Sequence, residues 1–354
     1  MNKTEIEKAK KLVKNLPSNL KLIDDRNFIF DKSECENFKA TFNFDISDQN
    51  FPLAISILVH ENAEQVFRLL KSIYQPQNIY CIHIDKKSNK NFHAAIRSLV
   101  KCLDNVFIST KTENIVYGGF SRLQADINCL RDLLTLKDFV GDNKHENLMN
   151  KKLVEWKYAF NLVGTEFPLR TNSELIKIIK IYNGSNEIEL VKIDSFLERV
   201  EYEWIEDNRS NSIFKTNVKK KEPPHGYKIY KGYSGYLISK AFAKYAIFDQ
   251  RAQDFLKWTR NTYSPDEIFW STLHFNSKFF SSHGLKYDPM VEKYDSLIKY
   301  TGWYGEKNDC NGVYRHGICV FSIEDLPELI SRPHFVANKF LIHEDPIAYQ
   351  CIEE

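Results

Sequence analysis

The sequence contains no run approaching the roughly 18–20 apolar residues that a helix needs to cross a bilayer, so no segment of it reads as a membrane span. Its opening stretch, MNKTEIEKAKKLVKNLPSNLK, lacks the apolar core of a secretory signal and reads as a short amphipathic helix. Taken literally, that beginning describes a cytosolic protein. Net charge is also scarce, since 49 Lys and Arg against 47 Asp and Glu leave a formal +2. Such a balance argues against nucleic acid or a charged membrane surface as partner, and the basic run KTNVKKKEPP (215–224) reads as a solvated loop. No G-x-G-x-x-G follows the first apolar run and no G-x-x-x-x-G-K-[ST] occurs, so dinucleotide and P-loop chemistry lose support. The absence of any C-x-x-C removes the spacing expected of a zinc or thioredoxin-like site.

Seven cysteines are present nonetheless, at positions 35, 81, 102, 129, 310, 319 and 351. Cys310 and Cys319 bracket the Gly-containing loop NGVYRHGI, which a disulfide could staple. Asn183-Gly184-Ser185, Asn208-Arg209-Ser210 and Asn2-Lys3-Thr4 have the form of glycosylation sequons. These features oppose the literal cytosolic reading, and composition alone leaves the compartment open. The 354 residues are 43% hydrophobic and 27% charged, ordinary for a globular chain. The aromatic share of 14%, with 25 Phe and 18 Tyr, supplies flat apolar platforms with polar tips that suit sugar and base rings.

From residue 52 the pattern alternates. PLAISILVH (52–60), NIYCIHID (78–85), NVFIST (105–110) and WKYAFNLVG (156–164) are apolar runs expected to form strands buried on both faces. Between them, AEQVFRLLKSIY (63–74), NFHAAIRSLVKCL (91–103) and SRLQADINCLRDLLTL (121–136) have helical spacing. Strands alternating with helices predict an α/β body with right-handed crossovers. Further on, NSELIKIIKIY predicts a helix, NEIELVKI a strand, and YKGYSGYLISKAFAKYAIF a strand followed by a helix. Segment 139–152 reads as a surface loop and 300–354 as irregular and rich in turns. The resulting division is an N-terminal extension, 1–50, before one body, 51–354.

In open parallel sheets ligands bind beyond the carboxyl ends of the strands. Two such ends are polar here, Val59-His60-Glu61 and His83-Ile84-Asp85-Lys86-Lys87. A strand-end acid such as Asp85 is well placed for a ribose or base edge, although polar residues at strand ends are routine. Metal-dependent nucleotide-sugar enzymes carry an Asp-x-Asp at such a place. Asp85-Lys86-Lys87 offers one carboxylate and two cations instead, a poor set for a divalent ion that bridges a diphosphate. Cations would then have to neutralise a departing diphosphate. Arg315 in VYRHGICVF and Lys339 in HFVANKF are candidates, each in a loop-like segment, and for each a plain surface cation is the alternative.

TYSPDEIFW (262–270) admits two readings. As S-x-x-E before an apolar run it is a capping box, with Ser264 as N-cap, Pro265 at the first helical position and Glu267 bonding back to the cap. Alternatively, Ser264 caps while Glu267 turns toward a cleft and takes a proton.

Five blocks decide how these pieces are read together: ILVHENAEQVFRLLKSIYQPQNIYCIHIDKKS, NIVYGGFSRLQADINCLRDLL, WKYAFNLVGTEFPLRTN, TYSPDEIFWSTL and FVANKF. In this order they resemble the core-2/I-branching β-1,6-N-acetylglucosaminyltransferases, glycosyltransferase family 14. The resemblance covers roughly residues 51–354. It implies a GT-A-like α/β fold with a mostly parallel central sheet flanked by helices, and a stem-like extension before the catalytic domain. It further implies an inverting, metal-independent enzyme that takes UDP-GlcNAc as donor and a glycoprotein glycan as acceptor, with no cofactor. By motif, Glu267 matches the family's catalytic base and Arg315 with Lys339 the pair that grips the diphosphate. Leu58, His60 and Asp85 match donor-site positions. Glu189, Arg199, and Tyr300 or Trp303 match acceptor-binding ones.

The resemblance also implies the disulfides Cys35–Cys102, Cys81–Cys129 and Cys310–Cys319, leaving Cys351 without the stem cysteine that is its partner in the family. It implies a Golgi-lumenal enzyme held by a signal-anchor that this sequence does not display. The acceptor segment VKIDSFLERVEYEW departs from the family by lacking most of its basic residues. Two other readings stay open on sequence: a xylosyltransferase-like enzyme of the same family, and a catalytically silent glycan- or nucleotide-sugar-binding protein.

Overall fold

The apolar run at 53–59 forms the central strand, and all seven of its residues are buried. A strand without a polar face must be covered on both sides, and helices on each side of the sheet provide the cover. The computed structural model describes residues 3–15, 23–42, 44, 49–138, 151–191, 196–281, 295–305 and 310–354. The strands in chain order are β1 (Leu53–Val59), β2 (Ile79–Ile84), β3 (Val106–Ile108), β4 (Tyr158–Val163), β5 (Glu166–Pro168), β6 (Glu187–Ile188), β7 (Tyr202–Asp207), β8 (Ser212–Lys219), β9 (Tyr236–Ser239), β10 (Lys299–Thr301), β11 (Val313–Arg315), β12 (Ile318–Val320) and β13 (Val336–Asn338).

The main sheet runs β3-β2-β1-β4-β9-β6. β1 pairs in parallel with both β2 and β4, Ile57 lying between Ile82 and Leu162, and β9 runs antiparallel to β4 and β6. Side-chain alternation sorts the two cores. Leu53, Ile55, Ile57 and Val59 point to one face, where helices Ala63–Ile73 and Lys90–Cys102 pack. Ala54, with Ile79 and Cys81 of β2, joins the other face under helices Phe120–Thr135, Lys240–Phe248 and Asp266–Phe275. Asn62 and Asn89 cap the first two helices, their side-chain oxygens accepting the amides of Gln65 (3.0 Å) and Phe92 (2.8 Å).

The expected α/β sheet is therefore present, with several local differences. NEIELVKI yields a strand of only two residues, after which Val191 forms an isolated bridge to Lys231. The basic run at 215–224 is not all loop: Ser212–Lys219 forms β8, paired with β7 in an exposed two-stranded ribbon. A hairpin satisfies its backbone through its partner strand, so it needs no apolar alternation to exist. The tail expected to be irregular holds four short strands and two helices, Leu326–Ser331 and Pro346–Glu353, around a third core that includes Phe321 and Phe340. Residues 139–150 of the expected surface loop lie outside the described residues, as does Asn2.

Before β1, helix Lys32–Ala40 is pinned to the body by Cys35–Cys102, and Phe30 and Phe38 pack on Phe67. Cys81–Cys129 ties β2 to the helix above it and Cys310–Cys319 braces the β11–β12 hairpin, while Cys351 is unpaired. Among the described residues no helix is long and apolar enough to cross a membrane.

Candidate active site

The parallel strands β1, β2 and β4 end together at a cleft of about 470 Å³. Leu58, Val59 and His60 reach it from β1, Asp85 from just after β2 and Val163 from β4. Asp85 is fixed by backbone: its Oδ1 accepts the amides of Lys87 (2.9 Å) and Ile115 (3.4 Å), and its own amide donates to Val59 O (3.0 Å). Lys87 stands 3.9 Å from its other oxygen. This strand end presents one carboxylate beside a cation, and among the described residues no three His, Cys, Asp or Glu side chains gather as a metal would require.

The opposite side of the cleft is built around Glu267. Arg199 Nη1 lies 2.7 Å and Lys231 Nζ 3.1 Å from its carboxylate, and both fasten on the same oxygen, Oε2. Lys231 is itself buried, its ammonium 4.4 Å from the Phe196 ring centroid and 4.8 Å from that of Tyr233. The segment sits this close because residue 232 is glycine: a Cβ there would meet Glu189 O at 2.3 Å. Gly232 N donates to Glu267 O (2.8 Å), so strand lead and helix start are stitched at that point.

The capping box does not form. Helix Asp266–Phe275 begins after Pro265 with no side-chain cap, and Ser264, at φ +47, instead donates its amide to Gly118 O (2.7 Å). Gly118, at φ +74, has the Tyr263 ring 3.2 Å from where a Cβ would stand, so the VYGGF loop and the residues before the helix hold each other. With Ser264 committed to the loop, Glu267 does not bond back to a cap amide and lies in the cleft. Asp266 beside it is buried. That burial pushes its carboxyl up to about 6, with Arg122 pulling the other way and the Glu267 charge adding to the rise. Arg122 in turn pairs with the fully buried Asp126 at 2.5 Å.

Beyond Glu267 the cleft is lined by Trp303, Lys299 and Lys339. Trp303 stacks on Tyr233 (centroids 5.6 Å apart, planes at 29°) and its buried Nε1 has no partner among the described residues. Lys299 is paired with the buried Glu166 at 2.8 Å. Burial, and then the charge of Arg315, push the Lys339 ammonium below the ordinary lysine range. Loop, strand ends and buried pairs thus converge on one polar cleft with a carboxylate on one side and cations facing it.

This pattern is matched along the chain by a known family. The description core-2/I-branching enzyme fits residues 53–140 and 141–330. The chain belongs to the core-2/I-branching enzyme family. Individual relatives agree. A rat β-1,3-galactosyl-O-glycosyl-glycoprotein β-1,6-N-acetylglucosaminyltransferase 3 is 33% identical over 344 residues, 91% of this chain and 73% of the relative. The zebrafish enzyme of that name numbered 4 is 34% identical, over 94% of this chain and 77% of its own. A human N-acetyllactosaminide β-1,6-N-acetylglucosaminyltransferase is 35% identical over 86% of this chain and 72% of its own.

Within this family member the expected site residues divide. Leu58, His60, Asp85, Glu267, Trp303 and Lys339 line the cleft, and Arg199 touches Glu267 from behind. Arg315 is not in the cleft wall: it is largely exposed and its Nη2 donates to Glu344 Oε1 at 2.6 Å. Glu189 is buried next to Gly232, its carbonyl accepting the Ser271 hydroxyl (2.9 Å), and does not line the cleft.

Tyr300 is turned away from it altogether. Side chains alternate along β10, so Lys299 and Thr301 face the cleft while the Tyr300 ring stacks on Phe321 and beneath Arg332. Of the two aromatics considered from sequence, Tyr300 and Trp303, Trp303 is the one that lines the cleft. Sequence reasoning missed Lys231, the buried Asp266 and the Arg122–Asp126 pair. The i,i+4 spacing of Arg122 and Asp126 in a helix with a buried face was a signal for the last. Lys231 had none stronger than its place in the aromatic-glycine stretch YKGYSGY.

Proposed function

We propose that this chain transfers N-acetylglucosamine from UDP-GlcNAc, with inversion and without a divalent metal, to a 6-hydroxyl of a galactosylated O-glycan core or a related glycan. The observation that carries the reading is the one-sided pairing of Glu267. Both of its cations hold Oε2, and Oε1 has no protein partner among the described residues. A base so fixed can accept the acceptor proton while the hydroxyl oxygen attacks C1 of the sugar. The new C–O bond forms on the face opposite the diphosphate, the old C1–O bond breaks, and UDP departs with its electron pair. Lys339, and Arg315 once released from Glu344, neutralise that charge.

The metal-free reading is supported by the donor set at the β2 end. Asp85 is already engaged by two backbone amides and stands beside Lys87. The rat, zebrafish and human relatives, all β-1,6-N-acetylglucosaminyltransferases by name, support the sugar and the linkage. They name different acceptors, and Galβ1-3GalNAc is taken first because two of the three act on galactosyl-O-glycosyl glycoproteins. Three disulfides support folding in an oxidising lumen, and the Golgi is the compartment this function needs.

The test is transfer from UDP-GlcNAc to Galβ1-3GalNAc and N-acetyllactosamine, with and without EDTA, by the parent chain and by Glu267→Gln. Activity is expected to survive EDTA and to fall by about 10²–10⁴-fold in the variant, the range for a lost general base. Activity persisting in Glu267→Gln, or abolished by EDTA, would overturn the mechanism. UDP-GlcNAc binding without turnover on either acceptor would overturn the transferase assignment.

A further inference from the structure

We propose that Asn183 carries an N-linked oligosaccharide and that its first sugars lie in a hollow of the protein's own surface at the amino end of β4. The hollow has a volume of about 590 Å³, within the range of about 300–1,000 Å³ typical of small-molecule sites. It lies at the opposite end of β4 from the catalytic cleft. Asn183 and Gly184 form part of its lining, with Phe51, Trp156, Tyr158 and Lys240.

The sequon Asn183-Gly184-Ser185 closes helix Asn172–Tyr182. Asn183 is exposed there in the left-handed conformation (φ 44°, ψ 46°), where an Asn or Gly is favoured. The turn is pinned from beneath: Gly184 N donates to the Tyr158 hydroxyl (2.5 Å) and Ser185 N to Tyr182 O (2.8 Å). What the turn offers outward is the Asn183 amide, beside aromatic surface. Phe51 stacks on Tyr158 with ring centroids 6.1 Å apart and planes at 24°. Lys180 Nζ sits 5.8 Å from the Phe51 ring and Lys240 Nζ 5.1 Å from that of Trp156. Trp156 and Tyr158 are buried and Lys240 is paired with Glu155 (2.7 Å), so the half-buried Phe51 ring is the aromatic surface left to the hollow, with lysines at its edge. An apolar ring beside charged groups matches a pyranose, which presents an apolar C–H face and an edge of hydroxyls.

Three disulfides put the folding chain in the kind of compartment where such glycans are attached. The donor is a polyprenyl-diphosphate-linked oligosaccharide. The Asn183 Nδ2 forms the bond to C1 of the first N-acetylglucosamine, the C1–O bond to the lipid diphosphate breaks, and the amide proton is lost as the diphosphate leaves. The other described sequon contrasts with this one. Asn208 sits in the β7–β8 turn, the same turn whose Asn211 meets Lys87 and lines the catalytic cleft rather than the hollow at the amino end of β4.

The experiment is to secrete the full chain from eukaryotic cells and map occupied sites after peptide-N-glycosidase treatment in heavy-oxygen water, which converts a glycosylated Asn to labelled Asp. Asn183 is expected to carry the label, and Ser185→Ala, which keeps the asparagine, to lose one glycan. Acylation of Lys180 and Lys240 with a small amine reagent is then compared before and after enzymatic deglycosylation of the folded protein. Labelling of both is expected to rise several-fold once the sugar is gone. An unmodified Asn183 in the secreted protein would overturn the site, and equal labelling with and without the glycan would overturn the hollow as its seat. Neither result depends on the transfer reaction, so this inference and the proposed function fail separately.

Discussion

One wall of the cleft consists of strand ends. Leu58, His60 and Asp85 are placed by β1 and β2, whose backbones are laddered on both sides and buried throughout. The second wall consists of residues 266, 267 and 303, with Lys231 buried behind Glu267, gathered from distant segments by single contacts. Gly118 O receives Ser264 N, Gly232 N reaches Glu267 O, and Arg199 and Lys231 hold Oε2. The first wall inherits its geometry from the sheet, so losing one side chain leaves its neighbours in register. The second has no such lattice, and its accuracy rests on close approaches that one added atom destroys.

Gly232→Ala should break the second wall most severely. The new methyl carbon would meet backbone at 2.3 Å and the Ser271 hydroxyl at the same distance. A loss of about 3 kcal/mol in urea unfolding is expected, the upper range for overpacking. A fall of about a hundredfold in kcat/KM should accompany it as Glu267 is displaced. Wild-type turnover in this variant would mean that the wall is more compliant than its contacts suggest.

Asp266→Asn probes the same wall through pH. The Asp266 carboxyl binds its proton more tightly in the folded chain, at about 6 against an ordinary 3.8, so its stabilising contribution is complete below 3.8 and is lost as pH rises through 6. The variant should therefore gain on the parent between pH 4 and pH 7 by on the order of 3 kcal/mol in urea unfolding, and the gain should level off above that. A difference that is flat with pH would show that Asp266 is ionised throughout.

The smallest effect is expected from the strand-end wall. The His60 side chain is exposed and pairs with its neighbour Glu61 (3.3 Å), while its carbonyl accepts the Ser88 hydroxyl (2.6 Å), a bond that alanine keeps. His60→Ala should leave stability within about 0.5 kcal/mol. It should raise KM for UDP-GlcNAc by no more than about tenfold, a loss near 1.4 kcal/mol of binding. An unfolding midpoint that moved as far as that of Gly232→Ala would erase the contrast between the walls.

The same contrast explains how much of the molecule was legible in its sequence. β1, β2 and β4 announce themselves as unbroken apolar runs because burial on both faces leaves no room for polar residues. The helices between them follow from their apolar spacing. Asp85 and His60 were found because a strand end is a place that can be counted to. On the other wall, the motif singled out Glu267 and Arg199 was taken for an acceptor-binding residue, but neither its pairing with Glu267 nor Lys231 was foreseen. Lys231 reads as any surface lysine until the chain is folded, and Ser264 has the form of a cap until Gly118 claims its amide. Tyr300 and Trp303 could not be told apart because the phase of a three-residue strand decides which faces the cleft, and β10 is too short to show a period. Arg315 was expected in a loop-like segment but ends β11, and its partner Glu344, far along the chain, leaves no mark near it.

The two oxygens of a free carboxylate are equivalent, and a hydroxyl can meet either from a wide cone of directions. At Glu267 that symmetry is gone, because Arg199 and Lys231 both claim Oε2. What remains is a one-handed group whose other oxygen has no partner among the described residues. A pyranose carries several hydroxyls of nearly equal acidity, and chemistry alone does not choose among them. With Glu267 as the proposed base, the choice falls to whichever hydroxyl meets Oε1, and the proposed mechanism then gives an arginine and a lysine that bind only Oε2 a say in the regiochemistry of the product.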